Sequence, residues 1–114
     1  MPDWKEIAID AAESEGWCCT FDSDGWAELS IYSDAGEDFS FTADADTPER
    51  FWRSVRDYAD DFDAEEHAVG WWRTGRGEPD SIRILLDDAD KLAEWMFQLC
   101  IAMSAAFARN AIDY

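Results

Sequence analysis

Basic residues are scarce in this chain of 114 residues: two Lys and seven Arg stand against 17 Asp and 10 Glu, a formal net charge of -18. Contacts to phosphate need Lys and Arg, so direct binding to a nucleic-acid backbone is disfavoured. An anionic membrane surface is disfavoured for the same reason. Histidine is limited to His67 and cysteine to Cys18, Cys19 and Cys100. An odd count with two adjacent thiols is no disulfide framework and fits a reducing, cytoplasmic setting. The sequence opens without a basic segment leading into an apolar run, which predicts no signal peptide. The longest apolar stretch, Trp95–Ala108, has 14 residues and is interrupted by Gln98 and Ser104. It is too short for a membrane span and reads as a buried helix. Internal repeats, low-complexity tracts and linkers are also missing.

Apolar content is ample. Hydrophobic residues make up 47% and aromatic residues 15% of the chain, which excludes an acidic disordered polymer. The length suits a single domain, residues 1–114, with one core. The acidity is uneven: residues 1–49 hold 14 acids and one base, whereas residues 50–76 hold six acids and five bases.

Periodicity predicts an α+β domain in the order α-β-β-β-α-α-α. Trp4, Ile7, Ala8, Ala11 and Ala12 recur at helical spacing over residues 3–15, with Asp3 as a cap and Gly16 as a stop. Trp17–Phe21, Trp26–Tyr32 and Phe39–Ala43 read as strands, and the turns Asp22–Gly25 and Asp34–Glu37 make them an antiparallel meander. Ala27, Leu29, Ile31, Phe39, Phe41 and Ala43 face the core. Glu28, Ser30, Tyr32, Asp38, Ser40, Thr42 and Asp44 form a wet face. Thr47-Pro48-Glu49 starts a helix that runs to about Phe62, its apolar stripe made by Phe51, Trp52, Val55, Tyr58, Ala59 and Phe62. The spacing offers Arg53 to Asp57 and Arg56 to Asp60 as pairs. Asp63 caps a short helix reaching Trp72, with Glu66 at the capping-box position. Asp80 or Ser81 caps a region that extends to about Arg109 and breaks near Asp87–Asp90. Beyond Leu92 it is apolar nearly all round, which predicts burial against the sheet, other helices or a partner chain. The predicted architecture is therefore a three-stranded antiparallel meander with an N-terminal helix and a C-terminal set of helices on one sheet face.

Catalytic and metal motifs are incomplete. Asp63 and His67 share a helix face but find no second His or suitable Cys, so no metal is assigned. Asp22–Gly25 resembles the start of a calcium loop, yet Trp26, Ala27 and Ser33 stand where ligands, Gly and Glu belong, which leaves a hairpin turn. Nucleophile elbows and phosphate loops are missing, and no nucleophile, base and orienter come together. The expectation is a non-enzymatic domain without a cofactor. Trp71 and Trp72 point about 100° apart on a helix. Either one is exposed beside Arg73 and Arg76 as a contact point, or both pack beneath the following loop.

The acidity itself suggests a function. A DNA mimic would set its carboxylates into the Lys- and Arg-rich groove of a nucleic-acid-binding protein and exclude the nucleic acid. Candidate contacts are Glu28, Asp34, Glu37, Asp38, Asp44 and Asp46 on the wet sheet face and its turns. A second strip is Asp60, Asp61, Asp63, Glu65 and Glu66, with Trp71 and Trp72 beyond it. The alternative is an interaction or self-assembly module, a homodimer through residues 92–109, with acidity serving solubility or salt adaptation.

Tyr58–His67, Trp71-Trp72 and the run Gly77–Ala89 resemble a group of small acidic accessory proteins of bacteriophages and other bacterial mobile elements. Those proteins pair a Phe-Asp-x-acid-Glu-His segment with a downstream Pro-Ser-Ile-Arg helix start. Here Asp80 stands between Pro79 and Ser81, and the last helix is far more apolar than that group's acidic tail. The resemblance implies an anti-restriction or anti-CRISPR inhibitor acting on a host nuclease in a bacterial cytoplasm. It supplies no catalytic residues.

Overall fold

The computed structural model describes residues 3–33, 38–73 and 79–114, with side chains from residue 82 onward in the last segment. The Asp34–Glu37 turn, with the candidate contacts Asp34 and Glu37, lies outside the described residues, as does Arg76. Seven elements follow in the predicted order: α1 (Trp4–Ser14), β1 (Cys18–Phe21), β2 (Trp26–Tyr32), β3 (Asp38–Asp44), α2 (Pro48–Asp61), α3 (Ala64–Trp71) and α4 (Pro79–Arg109). The sheet order is β1-β2-β3, antiparallel throughout.

Local chemistry accounts for the boundaries. Helix-starting N–H groups lack intrahelical partners, and side-chain oxygens supply them. The Asp3 carboxylate accepts from Lys5 N, the Thr47 hydroxyl from Arg50 N and the Asp63 carboxylate from Glu66 N. Gly16, at φ +84°, ends α1 in the left-handed region, where a side chain would be strained. At the β1–β2 turn the Asp22 carboxylate accepts from both Asp24 N and Trp26 N, and Gly25 takes φ +86°.

The alternation of the strands places Cys19, Ala27, Leu29, Phe39, Phe41 and Ala43 on the buried side. Glu28, Tyr32, Asp38, Ser40 and Thr42 lie exposed on the other, with Ser30 and Asp44 half-buried. Ala8, Ala11 and Ala12 of α1, Phe51 and Val55 of α2, and Leu92, Met96, Leu99, Met103 and Phe107 of α4 complete one main core. A smaller cluster of Ala68, Leu85 and Ala89 joins α3 to the first half of α4. The body is elongated, 53 × 26 × 21 Å.

Three expectations are corrected. First, α4 does not break at Asp87–Asp90 but runs unbroken for 31 residues. Asp87 and Asp90 point to solvent, whereas Asp88, 3% exposed, falls on the buried stripe with Leu85, Ala89 and Leu92. Pro79 begins the helix, so Asp80 and Ser81 lie inside its first turn rather than capping it; a first-turn Pro gives up no hydrogen bond. Second, Arg53 pairs with Glu49 at 2.7 Å rather than with Asp57, and Arg56 pairs with Asp57 at 3.5 Å rather than with Asp60. Helical side chains lean toward the N-terminus, and an acid four residues before a base is the better order. Arg56 accordingly lies back over the Trp52 ring at 5.0 Å. Third, the second half of α4 is buried along one stripe only. Phe97 and Ile101 are 61% and 48% exposed on its other side.

Candidate functional site

The predicted acidic positions separate into two unequal surfaces. On the sheet face, Glu28 and Asp38 are exposed but stand among hydroxyls and the exposed rings of Trp26 and Tyr32. Asp44 and Asp46 are held by a base: Arg50 approaches Asp44 at 3.8 Å and Asp46 at 3.3 Å. Ion pairs this exposed contribute little to stability, but they do offset the local charge.

The second surface is the corner where α2 ends and α3 begins. Phe62 takes an extended conformation (φ -67°, ψ 119°) and turns the chain, and Asp63 caps the next helix. Asp60, Asp61, Asp63, Glu65 and Glu66 are all exposed there. None has an ion-pair partner within 4 Å among the described residues. Carboxylates that the chain leaves unpaired are the ones a cationic partner can reach without displacing an internal base.

An open cleft of about 570 Å³ cuts into this corner. Asp61, Asp63 and Glu66 supply its carboxylates, and Tyr58, Phe62, His67 and Trp71 supply its rings, with Gly70 among them. Helical spacing explains the convergence: Asp63, Glu66, His67, Gly70 and Trp71 follow one face of α3. Behind the cleft the rings interlock. Tyr58 stacks on Phe41 at 4.3 Å between centroids, while His67 meets Trp71 at 4.1 Å, Phe62 at 5.1 Å and Phe39 at 5.3 Å. Burial pushes the His67 imidazole pKa below its usual value, and the nearby Asp88 carboxylate pulls the other way. The imidazole Nε2 is buried without a hydrogen-bond partner. Burial also raises the Tyr58 phenol, so neither ring adds charge near neutrality. Trp71 and Trp72 are both half-buried, an outcome between the two expectations for them.

Across α2 lies a second groove, about 530 Å³, between α2 and α4. Trp52, Ala59, Phe97, Cys100, Ile101 and Ala105 make it mainly apolar, with Arg56 and Asp60 also among its lining residues. Burial, then Asp60, pushes the Cys100 thiol up to about 11, with Arg56 opposing. Cys19 is pushed up to about 12, chiefly by burial. Both are protonated thiols at neutral pH, which suits packing rather than nucleophilic attack.

Among the described residues, no three His, Cys, Asp or Glu side chains are grouped as a metal site requires. Asp63 spends its carboxylate on the α3 cap, and His67 turns into the ring cluster. No described helix is long and apolar enough to cross a membrane. Sequence reasoning found Asp61, Asp63, Glu66 and Trp71 and set His67 on the Asp63 face, but it missed Tyr58, Phe62 and Gly70 as their neighbours, and it missed buried Asp88. The signals available were the four-residue spacings Phe62/Glu66/Gly70 and His67/Trp71, and the Leu85-Asp88-Ala89-Leu92 stripe. No family model matches the chain, and no curated protein or solved structure matches it. The resemblance to small acidic accessory proteins of mobile elements therefore rests on the quoted residues alone.

Proposed function

We propose that this protein is a non-enzymatic, DNA-mimicking inhibitor that occupies the basic nucleic-acid groove of a host defence nuclease of the restriction or CRISPR kind. It would act in the bacterial cytoplasm. The observation that carries this reading is the exposed strip Asp60, Asp61, Asp63, Glu65 and Glu66, without ion-pair partners among the described residues, on an elongated body. A duplex 53 Å long holds about 31 phosphates, at one charge per about 1.7 Å. A net charge of -18 is more than half of that, carried on a body of the same length. Opposite fields speed encounter and make it salt-sensitive. The target class comes from the resemblance to phage accessory proteins, and the acidic surface fits any basic groove.

The test is capture of purified restriction and CRISPR nucleases on the immobilised protein. A true target binds at low salt, is released at high salt and is displaced by duplex DNA. Replacing Asp60, Asp61, Glu65 and Glu66 with Lys should weaken capture by roughly 100-fold or more, since close interfacial charge pairs couple by about 1.5 kcal/mol or more each. Circular dichroism should stay unchanged. Capture that resists both high salt and charge reversal would overturn the reading.

One observation favours a second reading. The α2–α4 groove leaves Phe97 and Ile101 exposed beside Trp52. Apolar surface of this kind marks a contact face, and a homodimer through residues 92–109 would cover it. Sedimentation equilibrium across a hundredfold concentration range decides that reading, with a constant monomer mass excluding it.

A further inference from the structure

The geometry points to the α2–α3 cleft as a receptor for a single cationic side chain, an arginine of the basic partner. The inference rests on the reading of the acidic corner as the contact with a basic protein, and it narrows that contact to one place.

Three observations select the occupant. Asp61, Asp63 and Glu66 bring three carboxylates to the cleft, and among the described residues no Lys or Arg lines it. An anion is therefore repelled. A neutral apolar group would bury carboxylates without a partner, which is costly. Next, the remaining walls are rings: Tyr58, Phe62 and Trp71. A cation is attracted to the face of such rings within about 6 Å. Guanidinium suits the combination better than ammonium: its plane stacks on a ring while its fork of N–H donors meets a carboxylate. Finally, the cleft is open where a side chain would otherwise fill it. A Cβ added at Gly70 would meet nothing within 4 Å. The walls are pre-set, because Tyr58 is stacked on Phe41 and Trp71 meets the His67 ring edge to face. Rings already held in place lose little freedom when a ligand arrives.

The test uses the full chain and a nine-residue Gly-Ser peptide with one central arginine, followed by NMR. A matched peptide carries citrulline, which has the same shape and no charge. The arginine peptide should give saturable shifts at the Trp71 indole N–H and the His67 ring protons, and the citrulline peptide should not. Gly70→Leu fills the cleft without altering charge and should weaken binding at least about tenfold. Glu66→Gln, at an exposed position, should weaken it severalfold with the fold intact. Removing two charges from the sheet face, by Glu28→Gln and Asp38→Asn, should change it less than about twofold. Equal binding of the citrulline peptide, full binding to Gly70→Leu, or shifts confined to other residues would each overturn the cleft assignment. Any of those results with salt-sensitive nuclease capture intact would leave the wider acidic-surface reading standing. Capture that ignores salt would sink that wider reading instead.

Discussion

Turned one way, the second half of α2 offers Tyr58, Asp61 and Phe62 to the cleft with α3. Turned the other way, the same helix offers Trp52, Arg56, Ala59 and Asp60 to the groove with α4. The cavities are close in volume, about 570 and 530 Å³, and differ in chemistry. One collects three carboxylates and, among the described residues, no base. The other collects aliphatic and aromatic carbon, with Arg56 and Asp60 also in its lining. Neighbouring helical positions differ by about 100°, so a shift of one or two residues decides which side a charge joins. A partner drawn to the first should respond to salt, and a partner drawn to the second should not.

The comparison can be broken most severely within α4. Leu99 is fully buried, while Phe97 and Ile101, two positions to either side, line the groove. Leu99→Ala should cost about 2–5 kcal/mol in urea unfolding. Phe97→Ser with Ile101→Ser should stay within about 0.5 kcal/mol per site, as expected for exposed positions. A large loss from the paired serine variant would show that the groove wall is structural rather than a free surface.

A smaller effect tests the acidic side. Asp63 both lines the cleft and caps α3. Asp63→Ala should cost about 1 kcal/mol in thermal or urea unfolding, and Asp63→Asn should cost almost nothing, since Asn caps equally well. The two variants remove the same charge, so they separate capping from electrostatics.

The smallest effect concerns pH. His67 has a folded-state pKa below its unfolded value of 6.5, because burial disfavours the imidazolium. Between the folded and unfolded values the unfolded chain binds more protons, so stability falls as pH drops through this window. The contribution is fully present above the unfolded value and is lost as pH falls through the folded one. His67→Gln should flatten the stability profile just below pH 6.5. The slope should be shallow, because Asp88 opposes the burial effect.

Much of the fold was legible because its signals are local. Asp3, Thr47 and Asp63 cap the helices assigned to them, and Asp22–Gly25 makes the turn its residues suggest. Alternation in Trp26–Tyr32 and Phe39–Ala43 separated the wet face of the sheet from the dry one. The continuity of α4 was hidden because four positions holding three Asp read as a break. Only in three dimensions does Asp88 join the buried stripe of Leu85, Ala89 and Leu92, close enough to His67 to act on its charge. The arginine pairs were misassigned because spacing alone does not give the direction in which a helical side chain leans. The acidic strip was legible as composition, but the cleft was not. It exists only because Phe62 turns the chain and sets the ring-bearing face of α3 beside the end of α2.

The unbroken α4 also links the corner to the rest of the molecule. At about 1.5 Å per residue its 31 residues extend for about 46 Å, most of the 53 Å length of the body. Its second half is fixed by the large core, whereas its first half is joined to α3 through the smaller cluster of Ala68, Leu85 and Ala89, with Ala64, Trp71, Trp72 and Leu86 packed against it. The free energy of opening therefore grades along one helix, lowest where α3 is attached. A ligand that bridges α2 and α3 adds its own binding free energy to that smaller cluster. Occupancy at the acidic corner and local order in the first half of α4 are thus linked quantities, and a change in either shifts the other.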